Sequence, residues 1–216
     1  MDSVSEVGVL DKAVAVLDAV ALEPVTLSAL CASTGLPRAT AHRLAAALEA
    51  HGLLRRDGLG RYDLGPHLDS LGRAAARRFP LADLAAAPMA ALRDETGEGV
   101  QLFVRQGDRR RCVHSLESTH GLRWILPEGT VLPLDRGSAG RVLAGERTLD
   151  GWVESVGERE PGVASVSAPI LNGGDEIVAA LSVSGPIDRL STSPGQRFGR
   201  AVVGAARTIG ASLANG

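Results

Sequence analysis

Aromatic side chains account for only 3% of this 216-residue chain, and it has just two cysteines. So few rings exclude a core of stacked aromatics. Hydrophobic residues still reach 44%, so the packing must come from Leu, Val, Ala and Ile. Cys31 and Cys112 fall in different predicted domains, and Cys31 lies on a helix face expected to be buried. That argues against a disulfide framework and for a cytoplasmic setting. Also missing is any run of 18 apolar residues, and the N-terminus has no basic stretch leading into a long apolar one. Neither a membrane span nor a secretory leader is expected. Excess charge is lacking too, with a formal net charge of -2. The chain as a whole is no polycation, so nucleic-acid binding would need a local basic patch. No internal repeat or low-complexity tract stands out. The length suits two modest domains.

Residues 26–64 organise the rest. They read as two short helices joined by a tight turn and followed by a β-hairpin. Thr26 caps a first helix whose apolar face is Leu27, Leu30 and Cys31. Gly35 falls where a helix-turn-helix needs a residue free to take φ > 0. Pro37 suits the first turn of the next helix, and Ala41, Leu44, Ala45 and Leu48 give that helix its buried face. Its opposite face carries Arg38, Thr40, His42 and Arg43 near the N-terminus, the part that enters a major groove in such motifs. Arginine can donate two hydrogen bonds to a guanine edge, whereas threonine and backbone N–H groups suit phosphate. Residues 53–56 and 61–64 read as two strands turned by Asp57-Gly58, clustering Arg55, Arg56 and Arg61 on a small wing. The candidate DNA-binding residues are therefore Thr26, Arg38, Thr40, His42, Arg43, Arg55, Arg56 and Arg61. A three-helix bundle with a surface hairpin is the plainer alternative. Small Cys31, Gly35 and the apolar Leu36, Ala41 and Leu44 favour the helix-turn-helix.

Met1 to Glu6 reads as a frayed end. Residues 11–21 form a helix with Leu10, Val14, Leu17 and Ala21 on its packing face. Leu68, Leu71, Ala74 and Ala75 suggest a helix after Pro66 that links two domains, either solvated or paired with its copy in a dimer. Helical spacing returns over 81–95, where Pro88 is expected to bend or restart the helix. The period then changes. Residues 100–104, 111–116, 122–125, 131–134, 162–171 and 177–184 read as strands, with a short helical piece at 139–144. An amphipathic helix over 194–213 ends the chain. Strands in one block with helices at both ends imply an α+β domain with a mostly antiparallel sheet.

The chain resembles IclR-type transcriptional regulators over nearly its whole length. The first half does so through TGLPRATAHRLAAALEAHGLLRRDGLGRYDLGPHLDSLG. The second does so through ETGEGVQLFVRQG, GTVLPLDRGSAGRVLAG and SVSAPILNGGDEIVAALSVSGPIDRLS. Four motifs in the family's order make a strong signal. The nearest likeness is to the actinobacterial subgroup that regulates leucine and other amino-acid biosynthesis (nitrogen-dependent-growth or leucine-biosynthesis regulators), which shares stretches such as VGVLDKA, RQGDRRRCV and GEREPGVASVSAP. The resemblance implies a winged helix-turn-helix DNA-binding domain over 1–65, a linker helix over 66–79 and a GAF-like effector-binding domain over 80–216. It also implies a homodimer or dimer of dimers, a palindromic operator in double-stranded DNA, and a small-molecule effector, an amino acid or pathway intermediate. One departure stands out. After Ala144 the family runs through another helix or two, whereas here only residues 145–150 intervene before Gly151-Trp152, so a piece that covers the pocket is expected to be missing.

The resemblance places the effector cavity between the sheet and the loop-helix at Gly137-Ser138-Ala139-Gly140, with Leu134 and Ala139 in its wall. Ser138 and adjoining backbone N–H groups at a helix start suit an anion, though an ordinary cap explains them equally well. Ser167 and Ala168, with Ser182 and Ser184, are candidates for the cavity floor, and serines alternating with valines fit a solvated sheet face too. Arg123 and Trp124 would supply a cation and a flat wall for a carboxylate-bearing ligand, with a core position as the other reading of Trp124. Enzyme chemistry finds no footing. Residues 136–140 miss the G-x-S-x-G pattern, and no His/Asp pair accompanies Ser138. Cys112 and His114 offer two metal ligands where zinc wants three or four. Asn172-Gly173-Gly174 lacks the Gly-Lys-Ser/Thr of a phosphate loop. No cofactor or metal is expected. A small-molecule sensor whose winged helix contacts protein rather than DNA is the alternative to a DNA-binding regulator.

Overall fold

The computed structural model describes residues 7–214, so the expected frayed end at 1–6 lies outside the described residues. The chain divides into two compact units, Met1–Phe79 and Pro80–Gly216.

The first unit holds α1 (Gly8–Leu22), α2 (Leu27–Thr34), α3 (Arg38–Ala50), the hairpin strands β1 (Leu54–Arg56) and β2 (Tyr62–Leu64), and α4 (Pro66–Arg78). The Thr26 hydroxyl accepts from the Ala29 N–H at 3.2 Å, capping α2. Gly35 ends it at φ 68°, its N–H donating to the Cys31 carbonyl at 2.9 Å. Pro37 sits one position ahead of α3 as its N-cap. Val16, Val20, Leu30, Ala41, Ala45, Leu48, Leu54 and Tyr62 form the core. A fully buried Leu or Val contributes about 1.5–3 kcal/mol. On α1 the buried stripe is Val16 and Val20. The face expected from Leu10, Val14, Leu17 and Ala21 is largely outward, with Leu10 57% and Val14 47% exposed. Valine and alanine occupy so much of this helix that two apolar stripes exist, and only one meets α2 and α3. α4 starts with Pro66 and ends with Arg77 and Arg78, where cations suit the helix C-terminus, and it buries no side chain.

In the second unit six strands follow the order β5-β4-β3-β8-β7-β6, every neighbouring pair antiparallel. They are β3 (Gly99–Gln106), β4 (Arg109–Leu116), β5 (Val131–Pro133), β6 (Val153–Val156), β7 (Val163–Leu171) and β8 (Ile177–Pro186). α5 (Leu81–Thr96) and α8 (Pro194–Ala214) pack on one face, over Val100, Leu102, Val166, Ala168, Leu181 and Val183. Alternate residues point the other way, toward the six-residue α6 (Ser138–Leu143). A one-turn α7 (Ile187–Leu190) follows β8.

Three expectations change. α5 runs uninterrupted through Pro88, since a helix packed on both sheet and α8 holds its course despite one missing N–H. Residues 122–125 are not a strand: Leu122 and Ile125 are exposed, and no neighbouring strand offers them a ladder. The edge strand β6, absent from the sequence reading, pairs with β7 from Val153↔Ser167 to Val156↔Ala164.

Candidate nucleic-acid interface and ligand chamber

Along α3 the 3.6-residue period separates two chemistries. Ala41, Ala45 and Leu48 turn inward, while Arg38, His42 and Arg43 are exposed and Thr40 is half-buried. Arg38 donates only a long 3.4 Å hydrogen bond to Ser28, and none of Arg38, His42 and Arg43 makes an ion pair with a described residue. The wing differs. Arg55 pairs with Asp63. Arg61 meets Asp57 at 2.7 Å. Arg56 reaches Glu49 at 3.4 Å, donates to the Tyr62 hydroxyl at 2.7 Å and stacks 4.4 Å over its ring. Asp57 also accepts from the backbone N–H groups of Leu59 and Arg61, both at 2.9 Å. The Arg61 N–H leads in holding its carboxyl below the usual carboxylate value. The wing's charge is internally balanced, whereas Arg38 and Arg43 on α3 have no carboxylate partner among the described residues. Exposed pairs of this kind are worth about 0–1 kcal/mol, so a phosphate can replace the carboxylate at little cost.

In the second unit the serines face inward. Ser167 and Ser182 are fully paired across β7 and β8, as are Ser165 and Ser184. Ser167 is 0% exposed and Ser182 3%, which rules out the solvated-face reading. The Ser138 hydroxyl shares 2.7 Å hydrogen bonds with Ser165 and Ser167, and Ser167 donates to Ser182 at 2.9 Å. Ser184 donates to Gln101 at 2.7 Å. Ser138 therefore does not cap its own helix. The Gly137 N–H is also taken, donating to Glu158 at 2.9 Å, so the start of α6 offers an anion little.

The hydroxyls of Ser138, Ser165, Ser182 and Ser184 border a chamber of about 30 Å³, whose wall also includes Gln101, Phe103, Arg110 and Arg159. Arg110 is 2% exposed, and its guanidinium lies 5.4 Å over the Phe103 ring. It donates to the carbonyls of Pro133 and Arg136. Glycine at 140 makes this possible: a Cβ there would come within 2.1 Å of Arg110 Nη1 and 2.4 Å of the Leu134 carbonyl. Burial, and then the charge of Arg159, pull the Arg110 pKa down to about 10. Arg159 is lowered by burial as well, and lies 5.0 Å over the Trp124 ring.

Of the expected effector residues, Ser138, Ala139, Ser182 and the neighbouring Ser167 and Ser184 come together here. Ala168 is on the opposite face, packed toward α8, because adjacent strand residues cannot share a face. Leu134 is buried beside Phe103 and Cys112 in the core next to the chamber. Arg123 lies outside, paired with Glu117 at 2.6 Å. Trp124 reaches the chamber only through Arg159. The sequence reading missed Arg110 and Arg159. Strand alternation carried a signal for the first, since Arg110 is in phase with the apolar Cys112, two residues on. Nothing local marks Arg159, which lies in the turn before β7.

A larger trough of about 400 Å³ lies elsewhere in the unit, lined by Trp152, Pro169, Leu171, Val203, Ala206 and Arg207 among others. It borders the short connection between α6 and β6, and its walls are mainly apolar. The polar chemistry is in the smaller chamber.

Among the described residues no group of three or more His, Cys, Asp or Glu side chains could hold a metal, and no helix is long and apolar enough to cross a membrane.

The IclR helix-turn-helix domain model matches residues 9–58. The model of the bacterial transcriptional regulator IclR C-terminal domain matches 73–148 and 146–211, two stretches that meet on the α6–β6 connection. The chain is 28% identical to the HTH-type transcriptional regulator KipR of Bacillus subtilis over 196 residues, 74% of this chain and 78% of that protein. It is 25% identical to the transcriptional repressor IclR of Escherichia coli, over 86% of this chain and 81% of that protein. An IclR homologue from Microbacterium hydrocarbonoxydans, solved in complex with 4-hydroxybenzoate, has the same fold. Its TM-score is 0.78 at 22% identity, covering 96% of this chain and all of that one. With both halves matched by regulator domains and no enzyme among these relatives, the chain belongs to the IclR family of bacterial transcriptional regulators.

Proposed function

We propose that two copies of this chain bind a roughly palindromic operator, each laying Arg38, Thr40, His42 and Arg43 of α3 in a major groove. The observation that carries this is the exposed α3 face, whose cations have no carboxylate partner among the described residues. Thr26 and the wing residues Arg55, Arg56 and Arg61 then contact the flanking backbone, the arginines exchanging their carboxylates for phosphate. Residues 1–65 are the DNA-binding domain, 66–79 the linker helix and 80–216 the effector domain. Apolar side chains left outward on α1 (Val9, Leu10, Val14) and α4 (Leu71) support pairing between copies. The regulator works in the cytoplasm, where its operators are.

A small molecule held in the serine-lined chamber shifts operator affinity through unequal binding to the DNA-competent and incompetent arrangements. The likeness to leucine-biosynthesis regulators supports amino-acid biosynthetic genes as targets, and an amino acid or pathway intermediate as effector. Fluorescence anisotropy on fragments upstream of the chain's own and neighbouring genes tests the reading, with a scrambled duplex beside them over a salt series. Tight binding to one fragment that weakens as salt rises is the expected result. Equal, weak binding to all of them, with tight capture of a small molecule, would favour a sensor whose winged helix contacts protein.

A further inference from the structure

We propose that the trough between α8, the end of β7 and the α6–β6 connection is a second small-molecule site, taking an acyl chain with one anionic end. It is separate from the serine-lined chamber and does not depend on the effector reading of that chamber.

The connection is short and tightly wound. Gly145 and Gly151 take positive φ, at 101° and 82°, and the Gly151 N–H donates to the Thr148 carbonyl at 3.1 Å. Turned back on itself in this way, it leaves about 400 Å³ open against α8. Sites for small organic molecules span about 300–1,000 Å³ and have mainly apolar walls, as this one does. Trp152 forms a rigid wall. Its ring lies against α8 at Gly199, where a Cβ would come within 2.4 Å of it. Val203, Ala206 and Leu171 continue the apolar surface. From Val203 to Ala214, α8 contributes about 16 Å of wall, which suits an extended chain better than a compact head.

The polar side chains around the trough are already satisfied, with one exception. Arg141 holds both carboxylate oxygens of Glu146, at 2.6 and 2.8 Å. Arg147 is tied to the Asp175 carboxylate at 3.1 Å and to its carbonyl at 2.8 Å. The Thr148 hydroxyl donates to the Trp152 carbonyl at 2.6 Å, and the Asn172 amide is turned onto its own hairpin. Arg207 is the exception: exposed on the α8 wall, it has no hydrogen-bond or ion-pair partner among the described residues. An apolar bed with one unneutralised cation at its edge complements a chain that is apolar along its length and anionic at one end. A neutral hydrocarbon leaves the cation unmatched, and a short acid leaves the bed wet. Such a chain cannot enter the chamber, whose space is only about 30 Å³.

Calorimetric titration of the full chain with sodium decanoate, kept below its micelle concentration, tests the site beside octanoate, decanol and propionate. Decanoate is expected to bind best, each methylene beyond octanoate tightening binding by about fourfold. Arg207→Gln should weaken decanoate by about fivefold at low salt, the scale of a pair at the solvent edge, and leave decanol unchanged. Ala211→Trp fills the trough from an exposed position on α8 and should abolish binding. In Trp124→Phe only Trp152 remains to fluoresce, and decanoate should shift its emission. Should that variant not fold, Ala211→Trp still decides. Octanoate or decanol bound as tightly as decanoate would overturn the proposal. So would decanoate binding unchanged in Arg207→Gln or Ala211→Trp, or its loss in Ser182→Val, which alters the chamber instead.

Discussion

Replacing Gly140 by alanine sets two effects of opposite sign against each other, and the structure decides between them. Inside a helix, alanine is favoured over glycine by about 1 kcal/mol. At this position, however, the new Cβ would lie 2.1 Å from Arg110 Nη1 and 2.4 Å from the Leu134 carbonyl oxygen. The second contact is with backbone, which cannot swing aside. Overpacking of this kind costs about 1–3 kcal/mol. Displacing the guanidinium also breaks its bonds to the Pro133 and Arg136 carbonyls, and a bond to a charged group is worth about 1.5–3 kcal/mol. Losing one of them makes the net cost about 1.5–5 kcal/mol, or about 6–20 °C in Tm at about 4 °C per kcal/mol. Differential scanning calorimetry of Gly140→Ala checks this, with Gly204→Ala as control. No heavy atom lies within 4 Å of a Cβ built at 204, so that variant should gain up to about 1 kcal/mol. A Gly140→Ala protein as stable as the parent would refute the close approach of Arg110 to α6.

Arg43→Ala, which removes an exposed side chain with no ion-pair partner, should leave folding unchanged and cost about 1–3 kcal/mol per half-site on operator DNA. Anisotropy on operator and scrambled duplex checks it, and equal losses on both would remove the base-reading role. Arg189→Met should destabilise the second unit by about 3–5 kcal/mol in urea titrations. It would strand the Glu98 carboxylate, 2% exposed and held at 2.5 and 2.9 Å by that arginine, and a smaller effect would mean water reaches Glu98. Asp57, with its pKa lowered in the fold, stabilises the wing above its unfolded value, and this contribution disappears as pH falls through the lowered one. Asp57→Asn should therefore flatten the acid side of the stability profile. The Cys112 thiol, pushed up to about 12 by burial and then Glu128, should resist alkylation at mildly alkaline pH until the chain unfolds. Rapid native labelling would contradict its placement.

Much of this architecture could be read from spacing. The α2–turn–α3 motif was legible because a cap, a left-handed glycine and a clean apolar stripe all point the same way. α1 was placed correctly along the chain and wrongly about its axis. A helix of alternating valine and alanine offers two equivalent apolar faces, and only tertiary contact selects Val16 and Val20. The serines of the chamber were found, but Ala168 was assigned beside Ser167 against the two-residue period that sends it to the helix side. Starting β4 at residue 111 rather than 109 hid Arg110, the most deeply buried cation of the site. Arg159 could not be found by pattern at all, since its position depends on a turn folding back over Trp124.

The two faces of the β7–β8 pair divide the sequence into interleaved alphabets. One set of positions, at 165, 167, 182 and 184, faces the chamber side, while 166, 168, 181 and 183 hold the helices. With the chamber as the proposed effector site, exchanges within the first set would rewrite ligand preference without disturbing the packing beneath α5 and α8. A single-residue insertion in either strand would do the reverse, sending aliphatic side chains into the chamber and serines into the core at one stroke. Descendants of this chain are free to drift letter by letter on the chamber side of these strands, and are forbidden to slip.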